Sequence, residues 1–264
     1  MTYNIPTDLD DFVHTAQQLA DIGRQTANNY FRKSLDVDHK SDRSPVTIAD
    51  RQTEEAMRAL IIDRHPDHGI VGEEFGARKA KSDWCWILDP IDGTKSFVCG
   101  KPTFGSLVSL VYKETPVIGV IEMPALGERW LGVHDRPTTH EGSPCRATAV
   151  ARLDDAAMLS TTPDMFDDKE WQVFESISLA ARVRAFGTDC YGYGLLASGY
   201  CDAVMESDLK PYDIMALVPV IEGAGAVISD WHGRPLSATS NGQVLACATA
   251  ELRDDIVARI AAGN

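Results

Sequence analysis

Two carboxylates stand three residues apart in the stretch DPIDGT, residues 89–94, directly after the apolar run WCWIL at 84–88. Carboxylates this close repel each other unless positive charge sits between them. Pro90 stops the strand that Asp89 ends, because its ring fixes φ and removes a ladder donor. Gly93 lets the backbone approach a ligand closely. Thr94 can cap the following helix, whose free N–H groups favour a phosphate. Oxygen ligands on one side and an anion seat on the other suit a hard cation such as Mg²⁺, which takes one or two carboxylates, several waters and substrate phosphate oxygens.

A surface turn also uses Asp, Pro and Gly, so the motif is weighed with the other acids of the chain. Glu73 and Glu74 follow a short strand at Gly69–Gly72, again placing acids at a strand end. Asp50 follows Thr47 at the head of a helix, and Asp213 opens a helix after the residues KPY, where an ordinary N-cap is the simpler explanation. Each of these alone reads as structure; together they read as a site.

The elements that must position these acids follow from periodicity. Residues 7–33 form an amphipathic helix pattern, with Thr7 or Asp8 as N-cap and Leu9, Phe12, Val13, Ala16, Leu19 and Ala20 on one face. A second helix runs from about Ala49 to Arg64 and ends at His65–Pro66. Strands follow at 69–72, 84–89 and, in quick succession, in GSLVSLVY, PVIGVIEM and ERWLGV between Gly105 and Val133. Near residue 151 the texture changes. Strand candidates at 157–160, 202–206 and 226–229 then alternate with helices near 168–182, 189–199, 212–223 and 249–262, which predicts layers of helix and sheet and a division into 1–150 and 151–264.

The chain has 264 residues and a formal charge of −14. That charge opposes a nucleic-acid partner, whose phosphates it would repel. The amino terminus lacks the basic start and apolar run of a signal peptide, and no apolar run reaches the length of a membrane span. The six cysteines show no CxxC pairing and the seven histidines no HExxH pair. These features predict free thiols in a reducing cytoplasm and no membrane partner.

Four separated motifs, in order, carry a resemblance over nearly the whole length: SPVTIAD (44–50), GEE (72–74), WILDPIDGT (86–94) and PYDIMALVPVIEGAGAVISDW (211–231). With them the chain resembles the inositol monophosphatase family. The resemblance implies an α/β fold of the layered α-β-α-β-α sandwich type, a homodimer, and two or three Mg²⁺ ions acting on a small-molecule phosphate ester. It implies that Glu73, Asp89, Asp92 and Asp213, with the main-chain carbonyl of Ile91, are metal ligands. Thr94 and Asp50 would form a hydrogen-bonded pair that, with Glu73, orients and deprotonates a water held by metal. Gly93 and Thr94 would donate backbone N–H groups to the phosphate.

The family acts on several phosphate esters, and three features narrow the choice. Asp189 stands in GTDCYGYGLLASG (187–199), where the inositol enzymes usually carry a small residue. Glu206 lies seven residues before Asp213, matching the family's substrate-contacting glutamate. GKPTFG, GERWLG and DLKPYDIMALVPV resemble the histidinol-phosphatase branch. Histidinol phosphate carries a primary ammonium, which Asp189 beside Glu206 suits through charge-assisted hydrogen bonds; an N-cap role for Asp189 is the rival reading. An inositol-type or broad-specificity phosphatase is the alternative. A non-catalytic member is disfavoured, because Asp50, Glu73, Asp89, Asp92, Thr94 and Asp213 are all present. GYGLLA at 192–197 matches a dinucleotide fingerprint by chance, without an acidic strand end after it; Gly194, Ala197 and Ser198 read better as a small-residue packing face.

Overall fold

A strand that is apolar on both faces, as WCWIL is, must be covered by a layer on each side. The computed structural model, which describes residues 5–33, 37–39 and 45–263, supplies both layers. Helices α1 (Asp10–Tyr30) and α2 (Ile48–Arg64) flank a short antiparallel pair, β1 (Val37–His39) and β2 (Pro45–Thr47). The polar link of residues 36–45 falls partly outside the described residues. Then come β3 (Gly69–Gly72), β4 (Gly76–Arg78), β5 (Trp84–Asp92), α3 (Thr94–Val98), β6 (Gly105–Tyr112), β7 (Thr115–Met123), β8 (Glu128–Val133), β9 (Thr139–His140) and β10 (Ser143–Pro144). These strands make one eight-stranded sheet in the order β10-β9-β8-β7-β6-β5-β3-β4, antiparallel except where β3 runs parallel to β5.

The rest of the chain gives β11 (Ala157–Ser160), α4 (Asp168–Ala180), β12 (Val183–Phe186), α5 (Tyr191–Ala197), β13 (Ala203–Glu206), α6 (Pro211–Ile214), α7 (Leu217–Gly223), β14 (Val227–Ser229), β15 (Val244–Cys247) and α8 (Ala250–Gly263). The second sheet has the order β12-β11-β13-β15-β14 and is mixed.

Alternation along the strands assigns the layers. Trp86 and Leu88 pack with Leu19, Met57 and Ile61 of α1 and α2. Their neighbour Ile87 faces the other way, with Leu107, towards Leu196 of α5 and Leu217 and Ile221 of α7. From the second sheet, Val204 and Ala246 join that same middle layer, while Met205 and Leu245 face Phe174 of α4 and Ile256 of α8. The architecture is the expected α-β-α-β-α sandwich. Its middle layer draws on residues from both sides of residue 150. No helix among the described residues is long and apolar enough to cross a membrane, and all six cysteines are free.

Five local expectations need correction. Strand β5 does not stop at Asp89 but runs through Pro90 to Asp92, and α3 has Gly93 in its cap position with no side-chain cap from Thr94. Helix α1 begins at Asp10, with Leu9 in the cap position and no side-chain cap. Asp8 Oδ1 meets only the Asp10 N–H, at 3.4 Å. The helix expected over 189–199 is confined to Tyr191–Ala197. The helix expected over 212–223 is broken into α6 and α7. Pro219 has no N–H to return to the Met215 carbonyl, and Ser109 Oγ donates to that carbonyl instead, at 3.1 Å.

Candidate active site

Residues three apart on a regular strand point to opposite faces, yet Asp89 and Asp92 share one. Strand β5 pairs with β6 at Asp89–Leu107 and again at Asp92–Gly105, so three steps on β5 match two on β6. The extra residue is a bulge at Pro90–Ile91. Leu107 and Gly105, two apart, lie on one face, and so do the aspartates opposite them. That face is the middle layer, where α6 and α7 arrive with Asp213.

The approach of α7 is set by glycine. A Cβ on Gly119 of β7 would lie 2.0 Å from the Ala216 carbonyl oxygen, and one on Gly132 of β8 would lie 2.3 Å from the Pro219 carbonyl carbon. The backbone of the 211–223 segment thus rests directly on the sheet. Asp213 follows Pro211 and reaches back to accept the Lys210 backbone N–H at 2.7 Å, so its capping bond and its place in the acidic cluster coexist.

One oxygen from each of Asp89, Asp92 and Asp213 lies within 4.8 Å of the others. Burial and mutual repulsion raise all three carboxyls. Asp92 is pushed to about 6 and Asp213 to about 8, while Asp89 is raised well above the ordinary carboxylate range. Glu73 adds its charge to each of them. The turn that carries Glu73 is held from below by Glu54, which is fully buried and accepts the backbone N–H of Glu74 at 2.7 Å and of Phe75 at 3.3 Å. Gly72 makes room for Glu54, since a Cβ there would meet Oε1 at 2.0 Å.

Asp50 sits buried in the first turn of α2. Thr94 Oγ1 donates to the carbonyl of Ile91 at 3.2 Å, the carbonyl that the resemblance assigns to metal. Asp89 Oδ1 is buried without a hydrogen-bond partner. An all-oxygen set of repelling, buried carboxylates with an unsatisfied oxygen fits a hard divalent cation.

Asp92 and Asp213 open onto a cavity of about 280 Å³, whose lining does not include Asp50, Glu73, Asp89 or Ile91. Its lining includes Asp92, Gly93, Thr94, Asp189, Tyr193, Glu206 and Asp213, and Met165, Leu209 and Leu217 give it apolar wall. Glu206 ends β13 and is buried; it accepts the Thr161 N–H and the Tyr193 hydroxyl, both at 2.9 Å, and burial raises it to about 7. Asp189 does not cap α5, which has Cys190 in the cap position and no side-chain cap. Its Oδ2 instead accepts the hydroxyls of Ser96 at 2.6 Å and Thr103 at 2.8 Å. The cavity therefore brings together Asp92, Gly93, Thr94, Asp189, Glu206 and Asp213. Glu54, Ser96, Thr103, Tyr193 and Met165 were not legible from the sequence as parts of the site.

The family model for inositol monophosphatases matches residues 8–262. The chain belongs to the inositol monophosphatase family. Its members are metal-dependent phosphatases, and this chain is an enzyme of that class. It is 46% identical over 230 residues to the bifunctional phosphatase IMPL2, chloroplastic, of Arabidopsis thaliana, a match covering 86% of this chain and 66% of the plant protein. It is 34% identical to a histidinol-phosphatase of Chlorobaculum parvum, over 94% of this chain and 96% of the other. A solved inositol monophosphatase from Zymomonas mobilis superposes with a TM-score of 0.89 at 40% identity, covering 97% of this chain and 100% of that one. Within this inositol monophosphatase fold, GYGLLA is packing: a Cβ on Gly194 would lie 2.8 Å from the Trp130 ring, whose Nε1–H is accepted by Ser198 Oγ at 2.8 Å.

Proposed function

We propose that this enzyme hydrolyses L-histidinol phosphate to L-histidinol and phosphate, with Mg²⁺ as its metal, two or three ions per site. The observation that carries the reading is the position of Asp189. It lies in the cavity that holds Asp92 and Asp213, with one carboxylate oxygen fixed by two hydroxyls rather than used on a helix end. An ammonium on the alcohol half of the substrate suits that carboxylate. Met165, Leu209 and Leu217 offer the apolar wall that an imidazole ring needs. Relatives named histidinol-phosphatase, in Chlorobaculum parvum and in Mycobacterium tuberculosis, support the same choice.

At the phosphate end, Asp89, Asp92, Asp213, Glu73 and the Ile91 carbonyl would hold the metal. When bound, divalent ions neutralise phosphoryl charge and make water easier to deprotonate. The chain's own groups do the rest. The backbone N–H groups of Gly93 and Thr94, at the start of α3, orient the phosphate. Thr94 and Asp50, with Glu73, position the attacking water and take its proton. A hydroxyl has one proton, so Thr94 turns off the Ile91 carbonyl to hand its proton towards Asp50. Phosphoryl transfer through a loose transition state asks for this positioning and little else.

A second reading, an inositol phosphatase or a broad-specificity one, is favoured by the likeness to the Zymomonas mobilis enzyme. The six free cysteines suit a reducing cytoplasm. For the homodimer, the edge strand β12, on which Val183 and Phe186 are exposed, is a surface of suitable kind. Phosphate release from histidinol phosphate and inositol 1-phosphate, measured side by side with Mg²⁺ and then with EDTA, decides between the readings. A metal-dependent preference for the first is expected; a preference for inositol phosphate would overturn the substrate.

A further inference from the structure

We propose that Ser96 and Thr103 are positioning residues for substrate choice, acting through Asp189. The inference rests on the ammonium-bearing substrate just proposed. Ser96 lies in α3, within the turn-and-helix that follows Asp92, and Thr103 lies in the loop before β6. Both hydroxyls donate to the same oxygen, Oδ2, at 2.6 and 2.8 Å. A carboxylate oxygen has about two lone-pair sites, so Oδ2 is filled by the protein. Among the described residues no group donates to Oδ1 and no lysine or arginine forms an ion pair with Asp189, Lys95 lining the same cavity without reaching it. The carboxylate thus keeps one oxygen and its charge for a ligand in the cavity.

The backbone shows how firmly the orientation is set. Asp189 has φ +47°, in the left-handed region that residues other than glycine rarely adopt. Such a conformation persists where the surroundings over-determine it. Here three contacts do so: the two hydroxyls, and the Cys190 N–H donated to Asp92 Oδ2 at 2.7 Å. Gly93 completes the fit, because a Cβ there would lie 2.6 Å from Asp189 Cγ. The turn that seats the phosphate and the carboxylate that meets the ammonium are therefore built as one unit. A neutral alcohol can donate to Oδ1 only without the charge assistance that an ammonium brings, and a cation of the wrong reach does not meet it.

The test compares histidinol phosphate with glycerol phosphate, which has no amine, as substrates for wild type, Ser96→Ala, Thr103→Val and the double variant. The double variant is expected to raise KM for histidinol phosphate at least about tenfold more than KM for glycerol phosphate, the scale of one or two lost charge-assisted hydrogen bonds. Thr103→Ser, which keeps the hydroxyl, is expected to restore the preference. Equal losses on both substrates would show a structural role and overturn the proposal, as would no change on either. Should the double variant fail to fold, the contrast between Thr103→Val and Thr103→Ser decides in the same way. A wild type without preference for the amine would instead overturn the substrate reading, and this proposal with it. A preference that survives both substitutions overturns the positioning role alone.

Discussion

Cys190 donates its backbone N–H to Oδ2 of Asp92 at 2.7 Å, so the acid of the turn is fastened to the residue beside Asp189, nearly a hundred positions away. That bond leaves Asp92 its other oxygen for the cluster. It also holds Asp92 close to like charges, and burial with repulsion raises its carboxyl to about 6.

Asp92→Asn is expected to cut phosphate release about 10³-fold on every ester tested, since the charge it supplies to a metal is worth several kcal/mol and each ~1.4 kcal/mol is tenfold. The same variant should melt higher than wild type in EDTA, because one member of a repelling set is gone. Substantial activity in Asp92→Asn would remove it from the ligand set.

The metal-free protein should lose stability as pH rises from 6.5 to 8.5. Asp213, at about 8 when folded, and Glu206, at about 7, keep protons that the unfolded chain has already released. The folded state therefore binds more protons in this window, and stability falls with pH. Thermal melting in EDTA should show the fall, and saturating Mg²⁺ should reverse most of it at the upper end. A rising melting temperature in EDTA over this range would contradict the charge arrangement.

The opposite sign is expected at the far side of the sheet. His68 is buried, accepts the Trp86 Nε1–H at 3.1 Å and is lowered to about 4, mainly by burial. The unfolded chain takes up a proton near 6.5 that the folded state refuses until about 4, so stability is lost as pH falls through this window. His68→Gln, compared with wild type between pH 6.5 and 4.5, should lose less of its melting temperature. An identical acid slope in both would exclude His68 as the cause.

Gly119→Ala should destabilise by about 1–3 kcal/mol, the usual cost of overpacking, or about 2–4 °C per kcal/mol. Its methyl would meet the Ala216 carbonyl, and relief would shift the segment bearing Asp213. A higher Mg²⁺ concentration for half-maximal activity should accompany the lower melting temperature. Unchanged values of both would mean that the close approach relaxes elsewhere.

Asp189→Ala is expected to reduce kcat/KM for histidinol phosphate about ten- to a hundredfold more than for glycerol phosphate, on the scale of a charge-assisted hydrogen bond. Equal reductions would show that Asp189 only shapes the turn.

The strand runs of β6, β7 and β8 were legible because each spans six residues or more with turn chemistry between them, and the acids were legible because their motifs are short and contiguous. Strand β15 was missed: four apolar residues after NGQ carry no period that distinguishes strand from helix. The partners of the acids were hidden for another reason. Glu54 reads as the i,i+4 mate of Arg58, which it is, at 2.6 Å; its second duty, holding the turn after Glu73, depends on chain twenty residues away. Ser96 and Thr103 look like solvent hydroxyls until the fold brings Asp189 over them. Asp189 read equally well as a helix cap because capping and ligand binding use the same residue type.

The bulge in β5 turns the length of the motif into a requirement separate from its composition. Substitution at Pro90 or Ile91 changes a side chain, whereas deleting either would leave the aspartates two apart on a regular ladder, still on one face but without the unpaired step that carries the Ile91 carbonyl. A side-chain change there leaves that main-chain oxygen, which accepts from Thr94 Oγ1, in its place between the two acids; the loss of one residue does not.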